Sequence, residues 1–234
     1  MSDNLLTSLD TSSFQGTNLT RLYLSANKFT TIDENVFQGL SNLSDLHLSE
    51  NQISYIKPNN FKGLSDLLNL GLNQNQLNTI PLDTFNSLSK LQKLELQNNQ
   101  LTSDKINNIF NGLKNLTWSS LASNKITVID ATLNLQVLHL NDNQISTLDS
   151  NKFESLINLQ EFYVYNIKLK KMDAFTFKEL SNLKILNLEF NKIVSFNRNA
   201  LVGLNKLEKV CIFENPFYLA STSLVSGLCM TNLK

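Results

Sequence analysis

Residues 43–64 read LSDLHLSENQISYIKPNNFKGL, and this stretch decides the fold because most of the chain repeats it with substitutions. Its apolar residues are spaced like neither one amphipathic helix nor one long strand. They are Leu43, Leu46, Leu48, Ile53, Ile56, Phe61 and Leu64, with Asn51 set among them. The regularity lies between units, so this stretch is the repeating unit of a solenoid.

Nine units follow when the chain is aligned on the first leucine of this stretch. Their starts are 24 or 25 residues apart, except for one step of 19 residues. The starts are Leu19, Leu43, Leu67, Leu91, Leu116, Leu135, Leu159, Leu183 and Leu207. The spacing predicts a single domain over residues 1–234, with a partial repeat at 1–18, eight repeats over 19–206, and a last strand with a C-terminal cap over 207–234.

Each unit opens with the pattern L-x-x-L-x-L, which alternates apolar and polar residues and predicts a short strand. Stacked at about 4.8 Å, such strands form a parallel sheet whose inward leucines make the core. The rest of each unit has room for about ten residues of irregular chain or short helix. We therefore expect an α/β solenoid with modest strand and helix content.

An asparagine recurs at the ninth position of the units. Where the chain bends after a strand, an inward amide can satisfy backbone N–H and C=O groups that have lost their ladder partners. The pattern therefore predicts a buried structural ladder, in which Ile167 interrupts the series once. Its members are Asn27, Asn51, Asn75, Asn99, Asn124, Asn143, Asn191 and Asn215.

A phenylalanine recurs six residues before the next unit's first leucine, with Leu201 taking that place once. The members are Phe37, Phe61, Phe85, Phe110, Phe153 and Phe177, and we expect them to stack behind the sheet. The regularity fails in the middle of the chain. One residue is inserted before Phe110, and the unit that starts at Leu116 is five residues short, with Ser119 in place of a strand leucine.

Together these motifs give LxxLxLxxNxLxxIxxxxFxxL over 24 residues, which resembles the extracellular subtype of the leucine-rich repeat. Similar repeats occur in Toll-type receptors, Slit, small leucine-rich proteoglycans and the variable lymphocyte receptors of jawless fish. The resemblance covers the whole chain and implies a horseshoe with the parallel sheet on its concave side and mostly irregular or short helical convex segments. It does not imply one ligand, because fold and function separate.

The two ends of the chain differ. Members of this family usually carry a cysteine-bearing N-terminal cap, whereas residues 1–18 contain no cysteine. Either the chain is a fragment, or its uncapped first coil meets a partner or a second copy of the chain. Residues 210–229 resemble a terminal cap, and the resemblance implies a disulfide between Cys211 and Cys229; two unrelated free thiols are the alternative.

Charge and motif content argue against several functions. The formal net charge is +0, so a nucleic-acid partner is not expected, and no apolar run approaches the ~20 residues that insert across a membrane. The two histidines, His47 and His139, occupy the same strand position four units apart, which is about 19 Å at strand spacing. Without a phosphate loop, a nucleophile elbow or metal-ligand spacing, we predict no enzyme activity, catalytic residue, cofactor or metal.

The residues that flank each buried strand leucine face outward and form the candidate ligand-binding surface. They are polar in the early units and become apolar or aromatic from the fifth unit onward. The candidates on this concave face are Trp118, Val137, His139, Tyr163, Tyr165, Ile185, Phe190 and Phe213. Exposed aromatic side chains on a rigid sheet make interaction hot spots, so we predict a protein-binding patch centred on His139 and Tyr163. Ordinary sheet decoration is the alternative, with Trp118 turned inward beside Ser119.

Three asparagines, Asn18, Asn42 and Asn115, each begin an N-x-S/T sequon just before the first leucine of a unit. They are predicted glycosylation sites if the chain is secreted. The repeat also has asparagine at this position without a sequon, at Asn158 and Asn182, so a structural preference of the repeat is the alternative.

These features predict a non-enzymatic recognition module that binds a protein ligand, or a glycan, through its concave face. The module would belong to an extracellular or cell-surface receptor, or to an adhesion or immune protein. The alternatives are a structural repeat protein that self-associates through its first coil and an intracellular adaptor.

Overall fold

The computed structural model describes residues 1–106, 109–128, 134–217 and 229–231. The chain forms two compact units, Met1–Ser120 and Leu121–Lys234, and each contains a run of parallel strands. The prediction of one domain over residues 1–234 stays a prediction. In the described part of the chain, every helix is too short or too polar to cross a bilayer.

The first unit carries five strands of three residues each. They are β1 Arg21–Tyr23, β2 Asp45–His47, β3 Asn69–Gly71, β4 Lys93–Glu95 and β5 Trp118–Ser120. Neighbouring strands pair in parallel with equivalent repeat positions aligned, so Leu22, Leu46 and Leu70 lie side by side. A single turn of helix, α1 Ser103–Ile106, precedes the position of the inserted residue.

The second unit has a main sheet and a smaller one. Its strands are β6 Val137–His139, β7 Glu161–Tyr163, β8 Lys171–Met172, β9 Ile185–Asn187, β10 Ser195–Phe196, β11 Lys209–Cys211 and β12 Met230–Thr231. Strands β6, β7, β9 and β11 pair in parallel in that order, β12 joins β11 in antiparallel fashion, and β8 pairs with β10. Two 3-10 helices span Ser150–Phe153 and Arg198–Leu201. The predicted parallel-sheet solenoid with little helix is confirmed for the described residues of both units.

The middle residue of each three-residue strand is buried, and in β1, β2, β4, β6, β7 and β9 the two residues beside it are exposed or half-buried. Leu22 is 5% exposed between the exposed Arg21 and Tyr23. In the second unit, Phe162 is 0% exposed between two half-buried residues. This alternation is the pleat of a strand. Consecutive side chains of such a strand therefore alternate between the core and the outward face.

The phenylalanine column is buried at five of its six positions. The rings of Phe61 and Phe85 stack with centroids 5.9 Å apart, and those of Phe153 and Phe177 stack at 6.1 Å. Phe110 is only half-buried, so the expectation that it packs like the others is wrong. The residue before the phenylalanine is buried in this coil as it is in regular coils: Ile109 is 3% exposed, compared with 1% for Val36 and 2% for Thr84.

The asparagine ladder lies inside, at the bend after each strand, and its eight members are 0–8% exposed. Asn51 has the typical pattern of bonds. Its Nδ2 donates to the carbonyls of Leu24, Leu48 and Ser49 at 3.0–3.1 Å, and its Oδ1 accepts from the Phe29 N–H at 3.2 Å. One side chain therefore satisfies four backbone groups that belong to two adjacent coils.

The residue before each ladder position has a left-handed backbone. Its φ lies between 51° and 57° in all nine coils, although none of these residues is glycine. The positions are Ala26, Glu50, Gln74, Asn98, Ser123, Asp142, Asn166, Phe190 and Glu214. Such a φ is uncommon for residues that carry a Cβ, and it recurs even at Asn166, where Ile167 replaces the ladder asparagine.

Ile167 interrupts the ladder without leaving its own N–H unpaired. The side chain is 0% exposed, and its N–H donates to Asn191 Oδ1 at 3.0 Å. The same oxygen accepts from the Leu169 N–H at 3.1 Å. The asparagine of the following coil therefore serves two donors of this coil.

Cys211, at the end of β11, forms a disulfide with Cys229. The bond joins β11 to the chain that enters its antiparallel neighbour β12. The predicted cap covers residues 210–229, of which 218–228 lie outside the described residues.

Candidate functional site

Four predicted ligand-binding residues of the second unit lie on the side of the sheet that faces away from the core, and a fifth, Tyr165, lies just beyond β7. We call these five the aromatic patch: Val137, His139, Tyr163, Tyr165 and Ile185, all of which are half-buried. Register aligns Val137 with Glu161 and Glu161 with Ile185 in one row. His139 and Tyr163 are adjacent in the next row.

The centre of the aromatic patch is a stacked pair of rings. The His139 and Tyr163 centroids are 4.3 Å apart, and their planes are 3° from parallel. The Tyr163 hydroxyl donates to Glu161 Oε2 at 2.8 Å, which fixes the direction of the phenol ring. Stacking on one side and a charge-assisted hydrogen bond at the tip together hold Tyr163 in one orientation.

The electrostatics of this pair favour neutral rings. Burial lowers the pKa of His139 below the ordinary histidine value, and the Glu161 carboxylate opposes this shift only in part. Burial, followed by the hydrogen bond and charge of Glu161, raises the pKa of Tyr163 to about 12. Burial also raises the pKa of Tyr165, with further contributions from Asp142 and Glu189. At neutral pH the patch therefore presents uncharged aromatic surface with the carboxylates of Glu161, Asp142 and Glu189 beside it.

Three predicted residues lie beyond the strands rather than on them, which corrects their predicted placement on a strand face. Tyr165 and Phe190 are in turns, and Phe213 follows the end of β11. Strands β7, β9 and β11 have three residues each, and a left-handed residue follows three places after the end of each. Phe190 itself occupies that position, with φ at 53°, and its side chain is 55% exposed.

Trp118 belongs to the first unit, at the start of β5, and its inclusion in the same surface as the aromatic patch stays a prediction. The side chain is half-buried and does not fill the space beside Ser119. Instead, the Lys93 Nζ lies 4.7 Å from the centroid of its ring, within the range of a cation–π contact. Ser119 is 0% exposed, and its hydroxyl donates to the Leu94 carbonyl at 3.3 Å.

A second stacked pair lies on the strand face of the first unit and was not identified from the sequence. The rings of Tyr23 and His47 have centroids 5.0 Å apart and planes 13° from parallel. The repeat spacing could have identified this pair, because the two residues are 24 apart and hold equivalent positions in neighbouring units. In the adjacent row, Asp45 accepts hydrogen bonds from Ser44 and Asn69, each at 2.6 Å. The strand face of the first unit is therefore polar but also ordered.

The predicted glycosylation sites are exposed, and two of them donate hydrogen bonds to the preceding coil. Asn42 Nδ2 donates to Asn18 Oδ1, and Asn115 Nδ2 donates to the Ser89 carbonyl at 2.7 Å. Asn182, which has no sequon, makes the same kind of bond, to the Ile157 carbonyl at 2.7 Å. Asparagine at this position thus has a structural role between coils, whether or not it carries a glycan.

Metal ligation finds little support in the described residues. The grouping of three metal-ligating side chains found there is Glu189 with Cys211 and Cys229. Since the two sulfurs are joined in a disulfide, they are not thiolate ligands.

Comparison with known families identifies the repeats. The Leucine rich repeat profile matches residues 1–53, 41–101 and 157–217, which together make up more than half of the chain. A two-copy profile matches residues 133–177, and a single-repeat profile matches residues 90–116.

Curated relatives are similar over part of the chain. Leucine-rich repeat-containing G-protein coupled receptor 5 from Rattus norvegicus is 35% identical over 120 residues, 51% of this chain and 13% of that protein. Toll-like receptor 3 from Boselaphus tragocamelus is 35% identical over 124 residues, 46% of this chain and 14% of that protein. Podocan-like protein 1 from Mus musculus is 33% identical over 92 residues, 38% of this chain and 16% of that protein. The matched stretches are thus a small fraction of each relative's length.

Solved structures share the fold. An LRR protein of Leptospira interrogans superposes with a TM-score of 0.70 at 26% identity, covering 92% of this chain and 60% of that one. The leucine-rich repeat domain of APL1B gives 0.76 at 20% identity, covering 90% and 59%. A chain of the Drosophila Toll–Spatzle complex gives 0.74 at 19% identity, covering 97% and 35%. With the repeats, the asparagine ladder and the profile matches in agreement, this chain belongs to the leucine-rich repeat family, and its repeats are of the extracellular type.

Proposed function

We propose that this chain is a non-enzymatic recognition module that binds a protein ligand through the aromatic patch. The stacked pair of His139 and Tyr163 is the observation that carries the proposal. Family membership and the similarity to two receptors support a protein-binding repeat module in general. The choice of this surface rests on the stacking and hydrogen bonding of its own side chains.

The aromatic patch has the physical character of an interaction hot spot. Tyrosine supplies a large contact area with few rotatable bonds, and residues of this kind dominate binding energies. Stacking on His139 and the bond to Glu161 already restrict Tyr163, so less side-chain entropy is lost when a partner binds. Val137 and Ile185 flank the pair and add apolar surface.

The polar group beside the stacked rings indicates which hydrogen-bonding groups a partner needs. Glu161 adds a carboxylate next to the stacked rings. A partner that presents an N–H donor to this carboxylate beside an apolar side chain fits this surface best.

The proposal includes an extracellular or cell-surface location. The disulfide between Cys211 and Cys229 supports it, because such bonds persist in oxidising compartments. The similarity to receptors and to a podocan-like protein supports it too. Glycans on Asn18, Asn42 and Asn115 are part of the same proposal, and these asparagines are exposed.

The test is partner capture with a paired substitution. The biotinylated chain would be incubated with cell-surface and secreted proteins of the source organism, and retained proteins quantified by mass spectrometry. The test variant combines Tyr163→Ala with Tyr165→Ala, which removes two patch residues but leaves the buried Phe162 and Val164 in place. The control is Tyr55→Ala, because Tyr55 is 43% exposed and lies off the strands.

We expect proteins that the unmodified chain enriches to be retained at least about tenfold less by the paired variant, since loss of a hot spot costs about 2 kcal/mol or more and tenfold corresponds to about 1.4 kcal/mol. The control should retain them fully, and circular dichroism should be the same for all three proteins. Equal retention by the paired variant and the unmodified chain would place the binding site elsewhere.

A further inference from the structure

Ile145 is a buried residue whose backbone lacks the partners that its counterparts in other coils have. It follows two residues after the ladder position Asn143, in the coil that starts at Leu135, which we call coil 6. Six counterparts donate their N–H to the ladder asparagine of the next coil at 2.9–3.2 Å: Phe29, Ile53, Leu77, Ile126, Leu169 and Ile193. The coil after coil 6 starts at Leu159, and this coil 7 carries Ile167 in place of the asparagine. The Ile145 N–H therefore has no acceptor among the described residues, although Ile145 is 0% exposed.

The carbonyl of Ile145 also has no donor. In other coils the residue that follows the ladder position donates its N–H to this carbonyl, as Gln76 does to Ile53 at 2.9 Å. Lys168 holds that place in coil 7 and differs from its counterparts in its left-handed φ of 70°. Within the part of the chain that the structure describes, neither the Lys168 N–H nor the Ile145 carbonyl has a hydrogen-bond partner. Three backbone groups at one junction are thus unsatisfied.

The gap continues along the rest of this junction, where residues 143–150 of coil 6 face residues 167–176 of coil 7. We call these two facing stretches the seam. No hydrogen bond or ion pair joins them, and the structure describes every residue of both stretches. A cleft of about 260 Å³ lies between them, lined by residues 147–150 on one side and by Lys171 and Asp173, among others, on the other. The backbones of the two coils are therefore separated along the seam.

The junction on the other side of coil 7 is bonded in the same region. Strands β8 and β10 pair there in parallel. The Val194 N–H donates to the Lys170 carbonyl at 3.0 Å, and the Phe175 N–H donates to the Asn199 carbonyl at 3.1 Å. This part of coil 7 is thus bonded to the coil that follows it and not to coil 6.

Intact contacts bound the seam on both sides. On the strand side, β6 and β7 pair, and the Leu140 N–H donates to the Tyr163 carbonyl at 2.8 Å. On the side of the phenylalanine column, the rings of Phe153 and Phe177 stack at 6.1 Å. The missing bonds are therefore confined to one stretch of two coils that are otherwise packed together.

We propose that the seam is an opening point built into the second unit, where coils 6 and 7 separate locally while β6 and β7 stay paired. Opening breaks no hydrogen bond at the seam, and it lets water reach backbone groups that are costly to bury without partners. Local openings of this kind need less free energy than global unfolding. The seam lies between the coils that carry His139 and Tyr163, but this inference rests on the backbone and not on the proposed function.

The experiment is native-state amide hydrogen exchange of the full chain, followed by NMR on nitrogen-15-labelled protein. Ile145 is compared with Ile126, Leu169 and Ile193, which hold the equivalent position in the same unit and are also 0% exposed. Because all four residues are buried, each N–H exchanges only when an opening brings water to it. The test variant is Ile167→Asn, which supplies the missing amide. The matched control is Ile167→Val, which changes the same side chain without adding an amide.

We expect the protection factor of Ile145 to be at least about tenfold below those of Ile126, Leu169 and Ile193, since an unsatisfied buried group offsets much of the cost of opening. Ile167→Asn should raise the protection of Ile145, and Ile167→Val should not. Leu140, which is bonded across to coil 7, should stay protected in all three proteins.

Equal protection of Ile145 and its three counterparts in the unmodified chain would overturn the proposal. Equal protection of Ile145 in the two variants would overturn it too, as would exchange of Leu140 as fast as that of Ile145, because the strands would then open with the seam. If NMR dispersion shows that Ile167→Asn is unfolded, the comparison within the unmodified chain decides.

Discussion

Replacement of Asn99 by alanine tests whether the asparagine ladder stabilises the fold. Asn99 is 8% exposed and makes four hydrogen bonds. Its Nδ2 donates to the carbonyls of Leu72, Leu96 and Gln97 at 3.0, 3.1 and 3.4 Å, and its Oδ1 accepts from the Leu77 N–H at 3.0 Å. Alanine removes all four bonds but keeps the backbone unchanged.

The cost of this substitution can be worked out group by group. The Leu72 carbonyl keeps the bond it accepts from Asn75 at 3.1 Å, so it is not left unpaired. The Leu77 N–H loses its acceptor at a residue that is 0% exposed. An orphaned buried N–H costs about 1–3 kcal/mol, and the weakened carbonyl bonds add roughly 0.5–1 kcal/mol. We expect the free energy of unfolding to fall by about 3 kcal/mol.

Urea unfolding at neutral pH measures this change. The single tryptophan, Trp118, lies in the same unit as Asn99, so its fluorescence can be compared with far-UV circular dichroism. The control is Asn59→Ala, because Asn59 is exposed in a turn and its loss should change the free energy by less than about 0.5 kcal/mol. Equal stability of Asn99→Ala and the control would refute the argument that the inward amides satisfy the bends.

Three further predictions concern the second unit. Phe190→Gly should raise the free energy of unfolding by roughly 0.5–1 kcal/mol in urea titrations, because φ is 53° and the side chain is 55% exposed, so relief of backbone strain outweighs lost packing. Reduction of the Cys211–Cys229 disulfide, which spans 18 residues, should lower the free energy of unfolding by about 3 kcal/mol relative to the oxidised chain. Alkaline absorbance titration should find a tyrosine pKa of about 12 for Tyr163, and Glu161→Gln should lower that pKa while burial keeps it above the ordinary value. Because the pKa of Tyr163 is higher in the folded chain than in the unfolded chain, its linkage lowers stability as pH rises from about 10 toward 12.

Much of the fold could be predicted because each structural cause recurs in many units. The strand leucines, the inward asparagines and most of the phenylalanine column follow from spacing alone, since every coil must bury the same faces against its neighbours. Prediction failed where a unit departs from its neighbours. Phe110 is half-buried in the coil that carries the inserted residue, although spacing places it in the phenylalanine column.

The candidate site could be predicted only as far as the strands extend. Alternation correctly places Val137, His139 and Tyr163 on the face away from the core. It fails for Phe190, because the left-handed turn ends the alternation after three residues. The type of residue at the left-handed position does not reveal the turn. Ordinary residues such as Gln74 adopt the positive φ there, and none of them is glycine.

The strand residues that pack the core alternate with the residues that we propose to bind a ligand, and this alternation has a consequence for how the surface can vary. Phe162 and Val164 are both 0% exposed, whereas Tyr163 between them contacts mainly its neighbours on the face. The ladder amides satisfy the bends without using any side chain of that face. Substitutions on the strand face should therefore change binding far more than folding.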